Sequence, residues 1–189
     1  MSSIAVTGSA TGTGVVSLVA PVTNTDRTIV FPDASGTVLT SATTTGFPAG
    51  SVLQVVNATY ATQTSSSSST FADTGLTASI TPSSASSKVL VFVNVSGIRK
   101  VTNNTWCELR LLKNSTVLFN MESSAGRNGS ATDNAVGSAS TTYLDSPATT
   151  SATTYKVQFS SANNNADVYI NITGNTGSTS TITLMEIAA

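Results

Sequence analysis

KVLVFVNV, Lys88–Val95, is the stretch on which the fold turns. Successive side chains of an extended chain point to opposite sides, so Val89, Val91, Val93 and Val95 share one face and Leu90 and Phe92 the other. Four valines at alternate positions favour a strand, because their branched Cβ atoms fit a pleated surface better than a helical turn. A strand apolar on both faces is covered on both sides, either inside a sandwich or at a contact between subunits.

Working outward, WCELRLL separates its faces, with Cys107, Leu109 and Leu111 pointing one way and Trp106, Glu108, Arg110 and Leu112 the other. Lys113–Thr116 then reads as a hairpin tip leading into VLFNM. Further strands are predicted over Ser51–Val56, Leu76–Thr81, Tyr155–Phe159, Val168–Ile172 and Ser180–Ile187, separated by serine, asparagine and proline clusters. The Ser65–Ser69 tract reads as a surface loop, and Glu122–Ser140 as the longest polar loop of the domain. Eight to ten short strands in this length predict an all-β, jelly-roll-like antiparallel sandwich over residues 47–189 rather than a seven-stranded immunoglobulin domain.

Composition agrees with this reading. Ser and Thr supply roughly a third of the 189 residues, and charged residues only 9%, against about 25% in an average soluble protein. Hydrophobic residues still make up 39%, enough to offset the ordering entropy that keeps polar low-complexity chains disordered. Residues 1–46 carry shorter apolar runs at Val15–Ala20, Thr28–Phe31 and Thr37–Leu39, cut by Pro21, Pro32 and Gly36. Such strands are too short to bury a core of their own, so they predict an extended arm that pairs with other copies of the chain. Gly46–Gly50, with Pro48 inside it, reads as the hinge between arm and domain.

Several chemistries are disfavoured by residue type. The chain contains no histidine and a single cysteine, which removes histidine-based triads, histidine metal sites and thiolate zinc clusters. The carboxylates Asp26, Asp33, Asp73, Glu108, Glu122, Asp133, Asp145, Asp167 and Glu186 are scattered singly. Gly8, Gly12 and Gly14 form no phosphate-binding loop. The expectation is therefore a non-enzymatic protein with no cofactor and no metal. A net charge of −1 gives no basic stripe for nucleic acid. The opening MSSIAVTGSATGTG has no basic region followed by an apolar core, so neither a cleaved signal nor membrane insertion is expected. Asn-x-Ser/Thr triplets, among them those at Asn57, Asn94, Asn114, Asn128 and Asn171, are read as chance products of the composition. Cys107, alternating with leucines, reads as an inert core thiol.

Two sets of residues stand out for binding. Arg127, Asn128, Asp133 and Asn134 lie in the long polar segment and are candidates for a receptor loop. Trp106, Tyr143 and Tyr169 are candidates for stacking on sugar rings, although packing is the commoner role of a lone Trp.

The segment FPDASGTVLT, Phe31–Thr40, followed by PAGSVLQ, Pro48–Gln54, resembles the leader of bacteriophage tail-fibre and virion-fibre proteins, in which a similar phrase precedes a compact β domain. The ending STSTITLMEIAA resembles the terminal strand of the same domains. The resemblance implies a homotrimeric virion protein, assembled in the host cytoplasm. Its arm would hold other virion proteins and its C-terminal domain would face a host-surface glycan. A capsid decoration or head-fibre protein is the alternative that it implies.

Overall fold

A computed structural model describes residues 11, 47–129, 133–163, 165–174 and 177–189. The chain divides into two units, Met1–Val38 and Leu39–Ala189; the description below concerns the second. The expected arm strands, Gly8, Gly12, Gly14 and the start of the hinge lie outside the described residues.

The fold is all-β, with no helix among the described residues. Ten strands follow one another: β1 (Val52–Tyr60), β2 (Thr64–Ser66), β3 (Ala72–Ile80), β4 (Lys88–Lys100), β5 (Trp106–Lys113), β6 (Thr116–Ala125), β7 (Asn134–Asp145), β8 (Thr153–Ala162), β9 (Val168–Ile170) and β10 (Ser180–Ile187). They form two antiparallel sheets packed as a sandwich. In the first sheet β1 pairs with β10 and β10 with β4, while β7 lies along β4 from Val89 to Lys100. The short β9 and β2 continue the edge of β4 that β10 leaves free. The second sheet runs β3-β8-β5-β6. Setting the three-residue strands aside, the pairs β1·β10, β3·β8, β4·β7 and β5·β6 are nested one inside the next.

The alternation in the sequence explains the core. Val89, Val91, Val93 and Val95 of β4, with Ile182 and Leu184 of the adjacent β10, pack against Leu109 and Leu111 of β5 and Val157 and Phe159 of β8 in one apolar cluster. Gly97 (φ +63) forms a bulge in β4, and a Cβ there would come within 2.7 Å of the Ile172 backbone nitrogen. The bulge shifts the inward register from Val95 to Ile98 and Lys100, both fully buried. Gly75 (φ +92) leaves room for the ring of Tyr60 to lie against the backbone of β3.

Two carboxylates inside the sandwich are held by hydrogen bonds. Asp145, at the end of β7, accepts hydrogen bonds from the Tyr155 hydroxyl (2.6 Å) and the Lys113 ammonium (3.0 Å), joining the two sheets. Glu186 of β10 accepts from Gln54 Nε2 (2.6 Å) and from the Ser83 nitrogen and hydroxyl (both 2.7 Å).

Two expectations about loops are corrected. The segment Glu122–Ser140 is mostly strand: β6 continues to Ala125 and β7 begins at Asn134. The physical reason is backbone pairing with the long edge of β4, which organises a Ser- and Ala-rich segment of little hydrophobic pattern. Thr64–Ser66, at the start of the serine tract, likewise pairs with β9.

Cys107 is fully buried, and burial, with the nearby charges of Glu108 and Glu122, pushes its thiol up to about 12. The native protein should therefore leave an aromatic disulfide reagent unreacted at pH 8 and release one thiol equivalent per chain on adding guanidinium. Rapid reaction of the folded protein would contradict this packing.

Candidate functional site

The described residues of three connections meet at one end of the sandwich: 101–105 between β4 and β5, 126–129 and 133 between β6 and β7, and 163 and 165–167 between β8 and β9. The described chain enters at the other end, where the Gly50 nitrogen donates to the Ala188 carbonyl (2.9 Å). Between them lie the 13 residues of β4, about 40 Å of strand.

At the loop end the Arg127 guanidinium lies over the Trp106 ring, 4.9 Å from its centroid. Arg99, brought onto the surface of β4 by the bulge at Gly97, lies 5.8 Å from the Tyr169 ring centroid and donates from Nε to Asp133 (2.8 Å). Its second nitrogen also donates to Asp133, giving a bidentate pair. The hydrogen bond from Arg99 holds the Asp133 carboxyl below its ordinary range, and the same contact raises the pKa of Arg99. The Tyr169 hydroxyl donates to Asp167 (3.1 Å), and this bond raises the phenol's pKa.

Asparagines build the floor. Lys100 donates to Asn128 Oδ1 (2.8 Å) and the Thr102 carbonyl (3.1 Å). The Asn104 nitrogen donates to the Asn128 carbonyl (3.2 Å), and Asn163 Nδ2 to the Asn104 carbonyl (2.7 Å). Asn104 (φ 53), Asn163 (φ 76) and Asn165 (φ 53) take left-handed backbone conformations, which Asn tolerates better than most residues.

The structure thus joins residues that the sequence offers as separate sets. Arg127 sits on Trp106, and Asp133 sits beside Tyr169 through Arg99. Asn128 is a support for the buried Lys100, and Asn134 donates to the Gly126 carbonyl (3.5 Å). Tyr143 is elsewhere. It packs on Phe119 (centroids 5.1 Å apart) between the edges of the two sheets. Its partner on β4 is Val91, whereas that of Tyr169 is Arg99, a separation of about 26 Å along the strand. Arg99, Asn104 and Asn163 were not singled out in the sequence. Their only local signal is the asparagine runs Asn103–Asn104 and Asn163–Asn165, since Arg99 reaches the site by a bulge that no periodicity announces.

Chemically this end presents flat rings capped by guanidinium groups, with carboxylate and amide edges around them. The buried Trp106 Nε1 has no acceptor among the described residues. Such a surface suits hydrogen bonding and stacking on a neutral polyhydroxyl ligand. No group of three metal-ligating side chains occurs among the described residues. No protein-family model matches the chain, and no curated protein matches its sequence significantly.

Proposed function

We propose that the chain is a non-enzymatic bacteriophage virion protein, a homotrimeric tail-fibre-like subunit whose outward end attaches to a host-surface glycan. The observation that carries this reading is the opposition of the two ends of the domain. The run of described residues that begins at Phe47 starts at the end where Gly50 pairs with Ala188, and the Trp106–Arg127 and Arg99–Tyr169 pairs lie at the far end. That placement suits a subunit tethered by residues 1–46 and exposing its loops. Binding residues commonly sit on loops held by a rigid scaffold.

Strand order supports the reading of the sandwich as a jelly roll. Numbered in chain order without β2 and β9, the eight long strands run 1-8-3-6 in one sheet and 2-7-4-5 in the other. This is a hairpin of four nested pairs wrapped into two sheets, an architecture found in viral capsid and lectin domains. Fold alone does not assign function, so the leader resemblance supplies the virion context.

Two experiments test the proposal. Mass spectrometry of purified particles should find the protein as a stoichiometric component. Particles carrying Arg99→Ala, Arg127→Ala and Asp133→Ala together should adsorb to host cells about tenfold less, with a melting temperature within about 2 °C of the parent. Asn128 is left intact because it holds Lys100. Normal adsorption by these particles would replace host attachment with the capsid-decoration reading.

A further inference from the structure

The outer face of the first sheet differs in kind from that of the second. On the second sheet, outward side chains form a polar ladder. Arg110 stacks on Phe71 (4.0 Å) and donates to Gln158 (2.9 Å), while Gln158 and Lys156 donate to Asp73 (2.7 and 2.9 Å). Glu108 accepts from Ser160 (3.1 Å). Such a face is suited to water.

The register of the first sheet builds the opposite surface. Val55 lies across from Met185, Met185 from Leu90, and Leu90 from Leu144. One apolar row therefore crosses all four long strands. Val52 and Ile187 form a pair on one side of it, and Phe92 stands in the row on the other. Of the six large hydrophobic residues exposed among the described residues, four (Val52, Val55, Phe92 and Leu144) lie on this face. The rows beyond are neutral: Asn57, Thr183 and Thr142 beside Phe92, then Thr59, Thr181, Asn94 and Ser140. Between Lys88 at one end and Arg99 at the other, the face carries no charged side chain.

We infer that this face is the contact between copies of the chain. The occupant follows from the charge pattern. Around a symmetry axis each residue near the axis approaches its own copy, so any charge there would meet a like charge. A neutral face avoids that repulsion, and its Asn and Thr groups both donate and accept hydrogen bonds. A foreign partner is commonly selected by complementary charge, which this face does not offer. Four strands by four rows span about 500 Å² in projection, more than half of the ~800 Å² that each partner contributes to a stable interface. The two-sided apolarity of Lys88–Val95 then has its explanation, with valines in the core and Leu90 and Phe92 at the subunit contact.

This inference rests on the proposed self-assembly and adds where the copies meet. Its test uses the full chain in sedimentation equilibrium at 10 μM. The parent should have the mass of three chains. Val55→Lys with Leu144→Lys, at positions about half exposed within one chain, should reduce that to one chain while the far-ultraviolet circular dichroism stays native. Lys156→Glu on the opposite face should leave the trimer intact. A second probe, Phe92→Cys, should be shielded from thiol reagents in the trimer and react in the Val55→Lys/Leu144→Lys background. A trimer that survives the double lysine variant would overturn this face as the contact while leaving self-assembly standing. A single-chain parent with an unreactive Cys at position 92 would overturn it in favour of coverage by residues 1–46. A single-chain parent with a reactive one would leave the face open and overturn the inference outright. Particle composition, which tests the virion reading, is independent of all these outcomes.

Discussion

Replacing Asp145 with alanine should destabilise the domain by about 3 kcal/mol, the low end expected for breaking a buried ion pair. Asp145 is 5% exposed and holds two groups of the opposite sheet, the hydroxyl of fully buried Tyr155 and the ammonium of Lys113. Burial raises the pKa of Tyr155, and the hydrogen bond to Asp145 adds to it, so the phenol stays protonated and continues to donate. Without the carboxylate, both donors lose their acceptor in a space that water fills poorly. Lys113 retains partial solvent access, with 24% of its side chain exposed, which keeps the loss from reaching the upper end of the range. Urea unfolding should show a lower midpoint with an unchanged slope. In a double-mutant cycle Tyr155→Phe should recover part of the loss, because it removes one of the stranded donors. Additive effects of the two substitutions would contradict the coupling.

Removal of Glu186 should cost about as much, and in a pH-dependent way. Its carboxylate is fully buried and makes no ion pair among the described residues. Burial by itself would raise its pKa, but hydrogen bonds from Ser83, Gln54 and Ser87 outweigh burial and hold it below 4.5. A carboxyl whose folded pKa lies below its unfolded one contributes its full stabilisation above the unfolded value. It loses that contribution as the pH falls through the folded value. Glu186→Ala at pH 7 leaves the Ser83 nitrogen and hydroxyl without this acceptor, at about 3 kcal/mol in total, or roughly 10 °C in melting temperature for a domain of this size. The parent should lose stability as the pH drops below about 4.5, and the difference between parent and Glu186→Gln should shrink over the same interval. A difference that stays constant from pH 7 to pH 3 would show that the carboxylate is not held in its charged form.

The same two residues show where sequence reading stops. Asp145 and Glu186 are ordinary single carboxylates in the sequence, one after a Thr- and Tyr-containing run and one in a strand otherwise apolar and neutral. Glu186 falls at an inward position of β10, between Leu184 and the chain end, where alternation predicts a hydrophobe. Its acceptors' partners, Gln54 and Ser83, lie more than 100 positions away. No local pattern encodes that meeting.

Strands with a strong period-two pattern were legible: β4, β5, β8 and β10 stand close to where their alternating Val, Leu, Phe and Ile place them. The hairpin tip at Asn114 was legible too, since Asn accepts the positive φ of 53° that it adopts. β7 was not. Its inward residues are Ala139, Thr141 and Tyr143, and its outward ones are mostly Ser and Thr, so hydrophobic contrast is weak on both faces. It is a strand because the free edge of β4 offers a continuous row of backbone donors and acceptors. The receptor-loop candidates were consequently placed in too long a loop, although Arg127 and Asp133 do lie in what remains of it.

Side-chain chemistry that acts locally was thus determined by the sequence itself: β-branched alternation made strands, Pro, Asn and Gly placed turns, and the lack of histidine restricted chemistry. Tertiary structure alone decided which strands became neighbours, and with them every feature that depends on distant residues sharing a place. Among these are the stacking of Arg127 on Trp106, the clasp of Arg99 on Asp133 and the apolar row from Val55 to Leu144. The reason is physical. A strand's own residues set its two faces, but its hydrogen-bonding edges are identical along any backbone, so the choice of partner rests on the packing of the whole domain.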